Sequence, residues 1–218
     1  MTILEVRKNS TNNRKENIED IFLKYNRPNF FIHYSSIPKL GINPQFSAGG
    51  TPVGVYGWPI QWVIEQLNLV GFNFSFLDLP FSNRKYIIIF EYIGTNPLKL
   101  TNVKKDFDFS KIEEYLSLKN YKNPDGSSIT FPSAQKISNI LFYKSVNLIA
   151  SSLKESSFNN QRQIEVLWNK LLRISGYDAI NDTKGDIMFV GEGPQICCLI
   201  PSVIKIRKIL ENPSPNII

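Results

Sequence analysis

The run Tyr86–Tyr92 (YIIIFEY) sets the tightest limit on the fold of this chain. Its β-branched and aromatic residues follow one another with no polar alternation before Glu91, the profile of a central strand buried on both faces. Such a strand needs neighbours on either side and a layer above and below, so the rest of the chain has to supply them.

Helical patterns occur at several points. Asn17 to Tyr25 puts Ile18, Ile21, Phe22 and Tyr25 on one face, and Pro28 closes it. Pro59 to Leu69 has proline in its first turn and apolar residues at Trp62, Val63, Leu67 and, just beyond, Val70. Lys104 to Lys119 carries Ser110 as an N-cap with Glu113 at capping-box spacing. Ser133 to Leu153 is the longest helical pattern, and a further one, Arg162 to Ile174, ends at Gly176. Short strands are expected at Phe30–His33 and Val53–Tyr56, and again at Asp186–Val190, Gln195–Ile200 and Val203–Ile209. Strands at both ends with helices between them predict an α+β domain.

A length of 218 residues with 42% hydrophobic content supports one sizeable core. The expected organisation is a polar arm over residues 1–15 followed by a single domain over 16–218. The net charge of +6 permits an anionic partner such as nucleic acid, although Lys and Arg are spread along the chain rather than gathered in a stripe. Cys197 and Cys198 are adjacent, which disfavours a mutual disulfide and leaves no zinc spacing, so both read as buried strand thiols in a reducing compartment. There is no signal-peptide pattern and no apolar run long enough to span a bilayer. A soluble cytoplasmic protein without a membrane or metal partner is expected, and secretion by a route needing no cleaved signal stays open. Asp178, Asp182 and Asp186 lack the ligand spacing of a calcium loop and read as turn residues.

The stretch Pro28–Trp62 concentrates the only histidine, His33, with Ser35, Ser36, Gly49, Gly50, Gly54 and Tyr56. Two strand ends each delivering a polar aromatic group beside glycines let backbone amides and ring faces approach a ligand such as a nucleotide. The plainer alternatives are that His33 is a structural hydrogen-bonding group and that Tyr56, Trp58 and Trp62 are core packing. Arg84 and Lys85 precede the buried strand, where they either meet a pyrophosphate or stay solvated.

Three separated blocks resemble one family pattern. They are His33-Tyr34-Ser35 with Gly41-Ile42-Asn43-Pro44 and Thr51-Pro52-Val53-Gly54-Val55-Tyr56; Leu79-Pro80-Phe81 leading to Arg84-Lys85-Tyr86; and Gly176-Tyr177-Asp178-Ala179-Ile180 followed by Glu192-Gly193-Pro194-Gln195. In this order they resemble the ADP-ribosyltransferase-like domains of phage polyvalent proteins and related bacterial proteins. The resemblance implies a split antiparallel β-sheet with helices packed around and between its halves, and NAD held between them as substrate. It implies an enzyme that cleaves the nicotinamide–ribose bond and transfers ADP-ribose to a macromolecular acceptor, protein or nucleic acid. By the same resemblance His33 binds the ribose, with Tyr34, Ser35, Gly54, Tyr56, Trp62 and Arg84 around the cofactor. Glu192 is the catalytic acid, with Gln195 as its rival. The family motif reads Glu-Pro-Thr-Gln where this chain has Glu192-Gly193-Pro194-Gln195, and an alternative alignment puts Cys197 where a carboxylate is needed. The other expectations are therefore an inactive NAD-binding or interaction module of the same fold, or an NAD glycohydrolase.

Overall fold

In the computed structural model the described residues are 17–42, 52–73, 84–99, 110–120, 122, 125–128, 161–182 and 193–213. Seven strands among them form one mixed sheet: β1 (Phe30–Ser35), β2 (Val55–Pro59), β3 (Tyr86–Tyr92), β4 (Pro97–Lys99), β5 (Ala179–Asp182), β6 (Gln195–Cys198) and β7 (Ile204–Glu211). The strand order is β4-β5-β6-β2-β1-β3-β7, with β4 and β5 parallel and every other pair antiparallel. Four helices accompany it: α1 (Ile18–Lys24), α2 (Ile60–Leu69), α3 (Ser110–Leu118) and α4 (Gln161–Ile174). The protein is thus α+β, as the sequence pattern predicts.

β3 is the buried strand that its composition demands. Ile87, Ile88, Ile89 and Phe90 are all fully buried, and the strand pairs with β1 along one side and β7 along the other. It is interior but not central, standing one place in from the edge strand β7. Strand alternation divides the side chains between two cores. Phe30, Ile32, Tyr34, Trp58, Ile87 and Ile89 meet Ile21 and Phe22 of α1 and Ile60, Val63, Ile64 and Leu67 of α2. Phe31, Val55, Phe90, Tyr92, Ala179, Ile196 and Cys198 form the core of the opposite face, with Leu40 and Ile42 packed against it.

Several boundaries differ from the sequence pattern for physical reasons. β1 continues two residues past His33, because Tyr34 and Ser35 stay paired with β3. β2 begins at Val55 rather than Val53 and runs to Pro59, since Trp58 fills a core position beneath α2. Pro59 ends this strand opposite Phe31 and caps α2, which needs no donor from it, so the helix starts at Ile60. Ser110 is the first helical residue of α3 rather than an N-cap ahead of it. β4 and β5 carry no sequence signal of their own, and both exist because β6 and β5 offer them a paired edge. The expected arm over residues 1–15, the helix at Ser133–Leu153 and the strand at Asp186–Val190 lie outside the described residues.

Candidate functional site

The sheet changes hands along β2. Its first three residues, Val55, Tyr56 and Gly57, pair with β6, whereas only Pro59 and Trp58 pair with β1, opposite Phe31 and Ile32. β1 continues to Ser35 alongside β3, so beyond Ile32 the two strands part. Gly57 sits at this point because a Cβ there would lie 2.7 Å from the Phe90 ring and 3.0 Å from the Ile32 carbonyl oxygen.

His33 is the first residue past the last β1–β2 pair. Its Nδ1 lies 2.8 Å from the carbonyl oxygen of Tyr56. A carbonyl only accepts, so Nδ1 carries the proton in this contact and Nε2 is left with a lone pair. Burial holds the imidazole pKa below its ordinary value, the Tyr56 contact works against that, and the nearby Arg84 charge adds to it. His33 is therefore neutral near pH 7, and its Nε2 suits a hydroxyl donor. Arg84 precedes β3 at the same end of the sheet, where Tyr86 pairs with Ser35, and partial burial lowers its own pKa.

Tyr56 belongs to the face covered by α2, as do Gln195 and Cys197 on the neighbouring strand, because Ile196 and Cys198 point into the opposite core. The Tyr56 hydroxyl donates to the carbonyl oxygen of Pro52, four residues back. Gly54 accommodates this layer: a Cβ there would lie 2.4 Å from Cys197 Sγ and 2.8 Å from the Cys198 carbonyl oxygen. Burial pushes the Cys197 thiol up to about 12, so it stays protonated and cannot stand in for a carboxylate.

Trp62, in the first turn of α2, closes the same face. Gly193 adopts φ +77°, and a Cβ on it would meet the Trp62 ring at 2.3 to 2.9 Å. The indole therefore sets where the chain can pass immediately before β6, whose first residue is the buried Gln195. Glu192, one residue before Gly193, lies outside the described residues. Tyr34 is 2% exposed and packs at 6.3 Å ring separation against Trp58, a position within the core. Ser35 is buried and accepts a hydrogen bond from the Ile37 amide, which turns the chain at the end of β1.

The fold thus brings His33, Arg84 and Ser35 to one side of the β1–β2 seam and Tyr56, Trp62 and Gln195 to the other, and strand alternation puts His33 and Ser35 on the Phe31 face of the sheet, opposite the α2 face that carries Tyr56 and Gln195. Two tie points escape sequence reasoning. The Asp178 carboxylate accepts from the Tyr92 hydroxyl at 2.5 Å and from the Thr95 and Asn96 amides at 2.8 and 3.1 Å, so it is an anchor rather than a turn former. Asn169 of α4, buried at 8% exposure, donates from Nδ2 to the carbonyls of Val53 and Leu199, holding the lead into β2 against the exit from β6. In the sequence Asp178 is marked only as a turn residue and as a member of the Gly176-Tyr177-Asp178-Ala179-Ile180 block, neither of which shows what it holds, and nothing in the helical pattern marks Asn169.

Among the described residues no group of three or more His, Cys, Asp or Glu could hold a metal ion, and no helix is long and apolar enough to cross a membrane. Comparison with protein-family models, with curated proteins and with solved structures finds no match to this chain.

Proposed function

We propose that the chain is an NAD-dependent ADP-ribosyltransferase with a split sheet that opens at the β1–β2 seam. The observation that supports this is the position of three groups on adjacent strands: His33 on β1, Tyr56 on β2 and Gln195 opening β6. These are the places that the resemblance assigns to the ribose-binding histidine, the aromatic wall and the ribose-contacting residue at the start of a late strand.

In this reading NAD lies across the seam. The Nε2 lone pair of His33 accepts a hydrogen bond from a ribose hydroxyl, while its Nδ1–H is held by Tyr56 and keeps the ring oriented. The Tyr56 ring forms a wall for the nicotinamide. As the glycosidic bond breaks, its electron pair leaves with nicotinamide and positive charge develops on the ribose. The side-chain oxygen of Gln195 orients that sugar, and Glu192 supplies the negative charge that a neutral amide lacks. The acceptor nucleophile then bonds to the anomeric carbon and loses its proton. With water as acceptor, the same step is NAD hydrolysis.

The test is nicotinamide release from NAD by the purified protein, alone and with a bacterial lysate as a source of acceptors. Release that requires His33 and Glu192, and that rises with lysate, is expected. Cys197 in place of a carboxylate in the alternative alignment, and the Gly193-Pro194 departure that shifts the proline by one residue, favour a second reading, a module that binds NAD without cleaving it. Calorimetric NAD binding with no release would establish that one, and absence of both would end the proposal.

A further inference from the structure

Cations that are dispersed in the sequence are gathered by the fold on the β7 edge of the sheet. Lys24 and Arg27, at and just beyond the end of α1, meet Arg207 of β7 around a cavity of about 400 Å³, with Tyr25, Glu91 and Ile206 in its wall. Lys205 and Lys208 continue the positive charge along β7, the edge strand of the sheet among the described residues. Among the described residues Glu91 is the single acid in the cavity wall, and it is paired with Arg207. The Arg27 guanidinium is exposed and has no ion pair or hydrogen bond among the described residues. Lys24 complements the C-terminal end of α1, a sufficient structural reason for one cation there but not for the others.

We propose that this edge binds the phosphate backbone of single-stranded nucleic acid. Charge complementarity favours an anionic chain over an uncharged ligand. The concave shape favours one strand over a duplex, whose grooves receive a protruding helix or ribbon rather than enter a cleft. The part-exposed Tyr25 ring, with Lys24 Nζ 5.9 Å from its centroid, gives a base a surface on which to lie. The register of β7 against β3 shifts between Ile89 and Phe90, leaving Arg207 as the extra residue between Ile206 and Lys208, so Lys205, Arg207 and Lys208 lie within four consecutive residues of this strand. The inference does not depend on the chemistry proposed at the seam.

The test is fluorescence anisotropy of labelled oligothymidylate and oligouridylate with the full chain across a salt series. The variant Lys24→Glu/Arg27→Glu is compared with Lys111→Glu/Lys119→Glu, which makes the same charge change at exposed positions on and just after α3. The cleft variant is expected to weaken binding by about tenfold or more and to reduce the salt slope by about 1.4, from ~0.7 per phosphate contact. The α3 variant is expected to stay within about threefold of the parent. Arg27→Gln, which leaves Lys24 in place, is read in the same way if the double variant fails to match the parent's circular dichroism. Equal weakening by both charge reversals, no binding by the parent protein, or equally effective displacement by polyglutamate would overturn the proposal; the last outcome would assign the edge to an acidic protein segment.

Discussion

His33 Nδ1 stands 2.8 Å from the carbonyl oxygen of Tyr56, one residue beyond the last pair that β1 makes with β2. The contact closes by side chain a seam that the backbone has stopped closing. It also selects the tautomer in which Nε2 is the acceptor. Structure and proposed chemistry meet in this one ring.

The seam should make stability depend on pH in a defined direction. Burial lowers the His33 pKa from 6.5, so below that value the unfolded chain takes up a proton more readily than the folded one. The stabilising contribution is complete above the unfolded value and is lost as pH falls through the lowered native value. Urea unfolding at about pH 7.5 and about pH 5.5 is expected to show a lower midpoint at the acid condition. His33→Gln should shrink that difference; an unchanged difference would mean that other groups cause it.

Asp178 binds elements that are far apart in the chain, through Tyr92 at the end of β3 and the amides leading into β4. Asp178→Ala leaves these three donors without their acceptor and is expected to cost about 2–4 kcal/mol. Asp178→Asn keeps one side-chain oxygen and should cost less. Denaturant midpoints of the two variants at neutral pH check the order, and a neutral Asp178→Ala would refute the anchoring role.

Gly193 meets two separate obstacles to a side chain, its φ of +77° and the Trp62 ring. Gly193→Ala is expected to destabilise by about 2–4 kcal/mol. Removing the ring in Trp62→Ala relieves the steric part but not the backbone part. The double variant should therefore lose about 1–2 kcal/mol less than the sum of the single changes. Strict additivity in the unfolding free energies would show that Trp62 does not limit the turn.

Both cysteines are free and buried, and burial raises both thiol pKa values, that of Cys197 to about 12. Neither should react with a disulfide reagent in the native protein near neutral pH, because the thiolate is the nucleophile. Two thiols are expected to react in denaturant. Rapid native labelling of even one would contradict the close packing of β6 against β2.

Much of the framework is legible locally. The YIIIFEY run demands a doubly covered strand and becomes β3; the apolar spacing of Ile21 and Phe22 yields α1; the pattern ending before Gly176 yields α4, where Gly176 takes φ +95°. β4 and β5 were not legible, since three or four residues containing proline or aspartate resemble turns until a neighbouring strand pairs with them. The candidate site was legible as a set of residue types. Its arrangement was not: Tyr34 reads as well for a ligand as for the core, and only its packing against Trp58 decides.

The amino-acid order by itself determined the α+β class, the interior strand, the strand-to-helix passage near Pro59 and the choice of His33 and Tyr56 as the residues to watch. Tertiary structure decided that β2 is shared between β6 and β1, that His33 stands where the sharing ends, that Asp178 and Asn169 are ties, and that Arg27 and Arg207 line one cavity. The difference is one of range. Periodicity and turn chemistry are written in neighbouring residues, whereas register, seams and gathered charges arise from contacts between segments distant in the chain, which leave no local pattern.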